Sequence, residues 1–276
     1  MTPVVRLLSP VRLLADLWRR RDLIRQFAVR YFLTRHRGTY LGAAWALLLP
    51  LLTLAVYSFV FNYVFTVRWG HDPNESPLEF ALAMFCGMVV FNVFSDSTVR
   101  SVALVLGNPN YVKKVVFPIE ILPVASVGSS LLSGGIGMLP VLAGTALFLG
   151  GLHWTLLLVP AVVLPLVALA LGVSWLLASL GVFIRDMESV VGIVIGQILF
   201  FLTPIIYRPE HLPEQIRRIV MLNPLAVVVD AVRRTAMRGE LPDWRALGWC
   251  LLASLVVMQL GYAWFMKTKR GFADVL

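Results

Sequence analysis

The sequence predicts an all-α integral membrane protein of six transmembrane helices, preceded by a basic amphipathic helix. Three observations carry this. Of 276 residues, 59% are hydrophobic and only 14% are charged, where soluble domains average about 25% charged residues, and the mean hydropathy is +0.82. Apolar stretches near the roughly 20 residues that a bilayer requires recur at 41–66, 81–106, 119–149, 155–183, 189–207 and 246–266. The net charge of +9 is concentrated on their flanks. Nine arginines precede the first stretch (Arg6, Arg12, Arg19, Arg20, Arg21, Arg25, Arg30, Arg35, Arg37), and Lys267, Lys269 and Arg270 follow the last. Flanking Lys and Arg stay in the cytosol, so both termini are expected there, as an even number of spans requires. Basic residues placed this way point to membrane lipids rather than to nucleic acid.

The first element, 9–38, opens with Ser9-Pro10, an N-cap followed by a proline that tolerates the first turn. Leu14, Leu17, Trp18, Ile24, Phe27, Ala28, Tyr31 and Phe32 recur at helical spacing, with arginines on the other side. Such a helix lies in a membrane surface or docks on a partner. Its Arg-rich length, with no small-residue cleavage site, is unlike a secretory signal.

In the first span Tyr57, Phe61 and Phe65 share one face. An interfacial aromatic belt accounts for Phe65. Tyr57 and Phe61, deeper, fit either lipid packing or a sugar-stacking face along a conduit. In the second span Asp96 and Arg100 stand at i, i+4 and can neutralise each other; a contact to cargo is the alternative, and Arg100 can also snorkel. Small residues in the third span (Gly128, Ser129, Ser133, Gly134, Gly137) suit close helix packing. Cys86 and Cys250 lie singly in apolar spans and read as buried fillers.

Between the second and third spans, Asn108 and Pro109 write a helix start and Pro118 a helix stop, giving a helix of about two turns at 108–117 that carries Lys113 and Lys114. The fourth span ends in a charged turn at Arg185-Asp186. After the fifth, Pro204 and Pro213 break the helix, and Asn223-Pro224 restarts it for a run too short to span. The segment 209–238 therefore reads as a re-entrant or interfacial hairpin. Arg208 to Arg245 contains seven arginines, against the positive-inside bias, yet an even span count keeps the hairpin outside.

No G-x-x-x-x-G-K-[ST] phosphate loop and no metal-type Cys/His spacing occurs, so ATP bound in the P-loop manner must sit on another protein. The loops are too short for a glycosyltransferase domain, and no inverted repeat of secondary-transporter type is visible.

The stretch Arg30-Tyr-Phe-Leu-Thr-Arg-His-Arg-Gly-Thr-Tyr-Leu-Gly-Ala-Ala-Trp45 with Pro50 resembles the approach to the first span in ABC-2 type permeases that export polysaccharides. So do Asn108–Pro123, Arg185-Asp186, Leu212-Pro213 with Asn223-Pro224-Leu225, and the ending Lys269–Leu276. The resemblance covers essentially the whole chain, 1–276, as a single transmembrane domain with its bundle at 41–266, and is nearest to the O-antigen branch. It implies a homodimer in the cytoplasmic (inner) membrane, each chain paired with a cytosolic ABC ATPase that holds ATP and Mg, and no cofactor on this chain. By the same likeness 108–117 is a coupling helix, with Asn108, Pro109, Asn110, Tyr111, Lys113, Lys114 and Phe117, and Arg185 and Asp186, facing the ATPase. The helix at 9–38 becomes an interface helix, and 209–238 an outer gate built on Pro204, Pro213, Asn223 and Pro224. The implied cargo is a polyprenyl-diphosphate-linked glycan. Tyr57, Phe61, Phe200, Phe201, Asp96 and Arg100 are then candidates for its path, and Arg30, Arg35 and Arg37 for its diphosphate, or for anionic lipid. An ABC-2 exporter of a lipid or drug, a membrane enzyme acting on polyprenyl phosphates, and a structural scaffold are the rival readings.

Overall fold

The computed structural model describes residues 10–35, 44–60, 77–113, 117–184, 186–207, 209 and 212–275. Among these no strand occurs. Helices run at α1 (Pro10–Arg19), α2 (Arg21–Thr34), α3 (Trp45–Phe59), α4 (Pro77–Ser101), α5 (Pro109–Lys113), α6 (Ile121–Phe148) and α7 (Val159–Phe183). They continue with α8 (Met187–Leu202), α9 (Glu214–Met221), α10 (Pro224–Arg233), α11 (Trp244–Thr268) and α12 (Phe272–Val275).

Four helical segments are long and apolar enough to cross a membrane: Leu78–Ser101, Ile121–Phe148, Trp154–Phe183 and Trp244–Gly271. Where the sequence predicts a first and a fifth span, the described helices α3 and α8 are shorter. At 1.5 Å per residue each is about 23 Å long, against a hydrocarbon core of about 30 Å. The first expected stretch continues at 61–66, outside the described residues. In the fifth, a π-helical turn at Val194–Ile198 widens α8 before it ends at Thr203.

Glycines set the helix packing. A Cβ at Gly144 would strike Leu82, one at Gly137 would press on Val89, and one at Gly134 would strike Val93. These partners rise along α4 as they fall along α6, so the two helices are antiparallel, and the small residues of the third stretch do serve close packing. The α7–α11 crossing is tighter still. A Cβ on Gly172 would lie 2.6 Å from the Met258 backbone, and one on Gly261 would strike the Gly172 carbonyl. Trp175 meets Tyr262 edge-on at 5.1 Å, and Ser179 and Thr268 share a hydrogen bond of 2.7 Å. Here both numbers rise together, so α7 and α11 are parallel. Cys86 and Cys250 are buried.

The predicted amphipathic segment is two helices broken at Arg20 rather than one. Its apolar side does not simply face lipid: Ala28 is buried and sits over Gly128 of α6, while Trp18 stays exposed beneath the Arg21 guanidinium. This brings α2, α5 and the α11–α12 tail to one end of the bundle, the tail end. The α6–α7 connection and the region after α10 meet at the opposite end, where the Thr155 hydroxyl donates to the Thr235 carbonyl at 2.7 Å.

Candidate functional site

At the tail end, α5 is described over Pro109–Lys113, and residues 114–116, where the expected second turn falls, lie outside the described residues. Pro109 occupies its first turn, but Asn108 does not cap it with its side chain. The preceding chain still winds helically, and the Asn108 side-chain amide turns back to donate to the Leu104 carbonyl at 2.8 Å, leaving only its backbone carbonyl to accept from Tyr111 at 3.0 Å. An unpaired carbonyl at that helix end outcompetes the cap. Asn110 is exposed. Tyr111 stacks on Phe117 at 4.4 Å, and Phe27 of α2 meets the two rings at 5.7 and 5.6 Å. Arg30 donates to the Tyr111 hydroxyl at 3.3 Å. An aromatic trio therefore ties α5 to α2. The Lys113 side chain, Lys114 and Arg185 fall outside the described residues; Asp186 is exposed ahead of α8.

Below this trio lies a node that the sequence reading missed. Glu120, largely buried, pairs with Arg20 at the α1–α2 break and with Lys269 of the tail at 2.7 Å. Its backbone carbonyl accepts from the Trp175 indole at 2.9 Å. Burial pushes the Glu120 carboxyl up, but the hydrogen bonds from Lys269, its own backbone and Arg20 outweigh that and hold it below the usual carboxylate range. The signal was a carboxylate inside a predicted span, a costly placement unless paired. Phe272 of α12, buried against Phe265 and Phe183, closes the same end.

Between α3, α4 and α6 runs a groove of about 190 Å³, lined by Trp45, Leu49, Met88, Asn92, Ser130 and Ser133 and closed at one end by Arg35 and Asp96. The local Asp96–Arg100 pair expected from spacing gives way to a tertiary one: Asp96 accepts from Arg35 of the α2 end at 2.6 Å. Arg35 approaches from the facing element, while a helical neighbour must bend along its own surface to reach. Both partners are more than a third exposed (side chains 43% and 34%). Asp96→Asn should therefore loosen α2 by only about 1 kcal/mol, read as faster amide exchange across residues 21–34. Unchanged exchange would assign the hold to packing, at Ala28 over Gly128 and at Phe27 against Tyr111 and Phe117.

Of the path candidates, the Tyr57 hydroxyl donates to the Met88 sulfur at 3.4 Å, packing α3 on α4. Phe200 lies edge-on to Phe91 at 5.3 Å, and Phe201 is 68% exposed. Phe61 and Arg37 lie outside the described residues. Tyr57 and Phe200 thus both pack on α4, at Met88 and Phe91, without forming one described cluster.

At the opposite end, α9 and α10 meet at Asn223. Its side-chain carbonyl accepts from the Leu225 amide at 3.0 Å, the capping expected ahead of Pro224, and its amide donates to Thr203 at 3.0 Å. Pro213 precedes α9. Arg233, 4% exposed, donates to the carbonyls of Ala83, Pro204 and Ile205 at 2.8, 2.8 and 2.7 Å. The break that Pro204 makes after α8 frees backbone acceptors in an apolar setting, and this guanidinium satisfies them. Gly87 leaves the room, since a Cβ there would collide with Arg233.

The ABC-2 type transporter family matches residues 22–237. This chain belongs to that family. The stretch matched in this ABC-2 transporter includes most of α2 and all of α5, α9 and α10. The O-antigen export system permease protein RfbA of Klebsiella pneumoniae is 28% identical over 248 residues, 88% of this chain and 90% of that protein. A protein of the same name from Myxococcus xanthus is 27% identical over 267 residues, 96% and 99% of the two chains. The polysialic acid transport protein KpsM of Escherichia coli is 24% identical over 249 residues, 88% and 92%. All three are named for transport, and the likeness to this ABC-2 chain runs through nearly the full length of each.

Proposed function

We propose that this chain is the membrane permease subunit of an ATP-driven exporter of a lipid-linked polysaccharide, of O-antigen type, in the cytoplasmic membrane. The observation that carries this reading is the bracing of α5. The described part of α5 is fixed to α2 by Phe27, Tyr111 and Phe117, and Glu120, further along the chain, is fixed to both Arg20 and the tail. A turn held that firmly transmits a push instead of absorbing it. The names of relatives that match over most of their length supply the cargo class.

In this reading the tail end is cytosolic, α3 and α8 complete six crossings, and α9–α10 is an outer re-entrant hairpin. A separate ABC ATPase carrying ATP and Mg seats on α5 and Asp186. A second copy of the chain covers α3, which has no buried residue and exposes Leu47, Leu51 and Phe59. The cargo is a glycan on a polyprenyl diphosphate. Arg30 and Arg35 can offer their remaining guanidinium donors to its phosphates while one nitrogen of each stays on Tyr111 or Asp96.

Tyr111→Ala combined with Phe117→Ala should lower glycan export at least tenfold in proteoliposomes containing the ATPase, while ATP turnover continues. Export at the normal rate, or export by this chain without the ATPase, would overturn the reading.

A further inference from the structure

The three basic residues at the end of α11 point to different partners. Lys269 turns inward to Glu120. Lys267 and Arg270 instead line a groove on the flank of α7 and α11, walled by Gly172, Leu176, Leu260 and Trp264 and enclosing about 640 Å³. No described carboxylate forms an ion pair with either.

The groove follows from the glycine crossing, because Gly172 and Gly261 put backbone where side chains would fill the flank. From Val257 to Arg270 it extends about 20 Å at the helical rise. One leaflet contributes about 15 Å of hydrocarbon, so the groove is apolar for a leaflet's depth and cationic at its rim. Trp264, one turn before Lys267, suits the boundary between tails and headgroups.

We propose that this groove binds an anionic phospholipid, with an acyl chain against Leu176, Leu260 and Trp264 and the phosphate at Lys267 and Arg270. A second copy of the chain is the poorer occupant. A two-fold axis along the membrane normal brings equal depths together, so both rims of Lys267 and Arg270 would face each other. The proposal takes only its leaflet from the orientation given above.

Native mass spectrometry of the full chain with its ATPase, released from nanodiscs of mixed phosphatidylglycerol and phosphatidylcholine, tests it. The unaltered protein should retain phosphatidylglycerol in preference, and Lys267→Gln with Arg270→Gln should reduce that preference about tenfold. Ala263→Trp, which fills the groove, should lower retention of both lipids. Unchanged retention in both variants would overturn the proposal. So would efficient disulfide cross-linking of Leu260→Cys between two copies, which would make this flank an interface. A membrane-impermeant maleimide on Ala273→Cys reports the side independently, since Cys86 and Cys250 are buried. Labelling from the outside with lipid preference intact would retire the orientation and leave the site standing.

Discussion

Arg233→Ala is expected to destabilise the protein by about 3 kcal/mol, more than any other substitution considered. The guanidinium is buried and donates to three carbonyls from two separate segments, Ala83 on α4 and Pro204–Ile205 after α8. Its loss leaves those buried acceptors without their donor, and breaking a buried charged network costs about 3–5 kcal/mol. The lower figure applies because a chain unfolded within a bilayer finds other partners. Arg233→Lys should recover only part of the loss, since one ammonium on a flexible stem cannot reproduce the planar fork. Thermal unfolding in nanodiscs should fall by about 5 °C for the alanine variant. A transition within a degree or two of the unaltered protein would show that the hairpin is held by apolar packing instead.

Glu120→Ala is expected to release the tail from the α1–α2 break at a cost of about 2 kcal/mol. A fully buried triad would lose more, but Arg20 and Lys269 are 39% and 30% exposed and regain water. Trypsin cleavage at Lys267, Lys269 and Arg270 should accelerate. In the reconstituted exporter, ATP turnover should persist while export falls. The pH dependence has a definite sign. The folded carboxyl lies below its unfolded value of about 4.3, so its contribution is complete above that value and is lost as pH falls through the folded one. Tail protection should therefore hold from neutral pH down to about pH 4 and fail only below. Release already at pH 6, or an acid transition that persists in Glu120→Gln, would contradict this role.

The all-helical class and the long helices were legible because length and hydropathy are local properties of the chain. So was the cap at Asn223, whose side chain needs only the next two residues. Asn108 carries the same dipeptide signal and behaves otherwise, because the turn ahead of it presents a carbonyl that wants a donor. Asp96 misled for a related reason: helical spacing offers Arg100, but the fold delivers Arg35. Glu120 and Arg233 were hidden more deeply. Glu120 is a lone charge in apolar sequence and Arg233 one of a basic group, and the partners of each stand 28 to 150 residues away. Gly172 and Gly261 were passed over because neither sits in a cluster like that of α6.

That glycine crossing also divides the molecule by stiffness. Where backbone rests on backbone there is no layer of rotamers to yield, so α7 and α11 form a mast that turns as one piece. α3, which buries no residue within the chain, and α8, with its widened turn, are held less closely by this chain alone. In the proposed exporter, a push arriving at Glu120 would reach the mast through the hydrogen bond from the Trp175 indole to the Glu120 carbonyl.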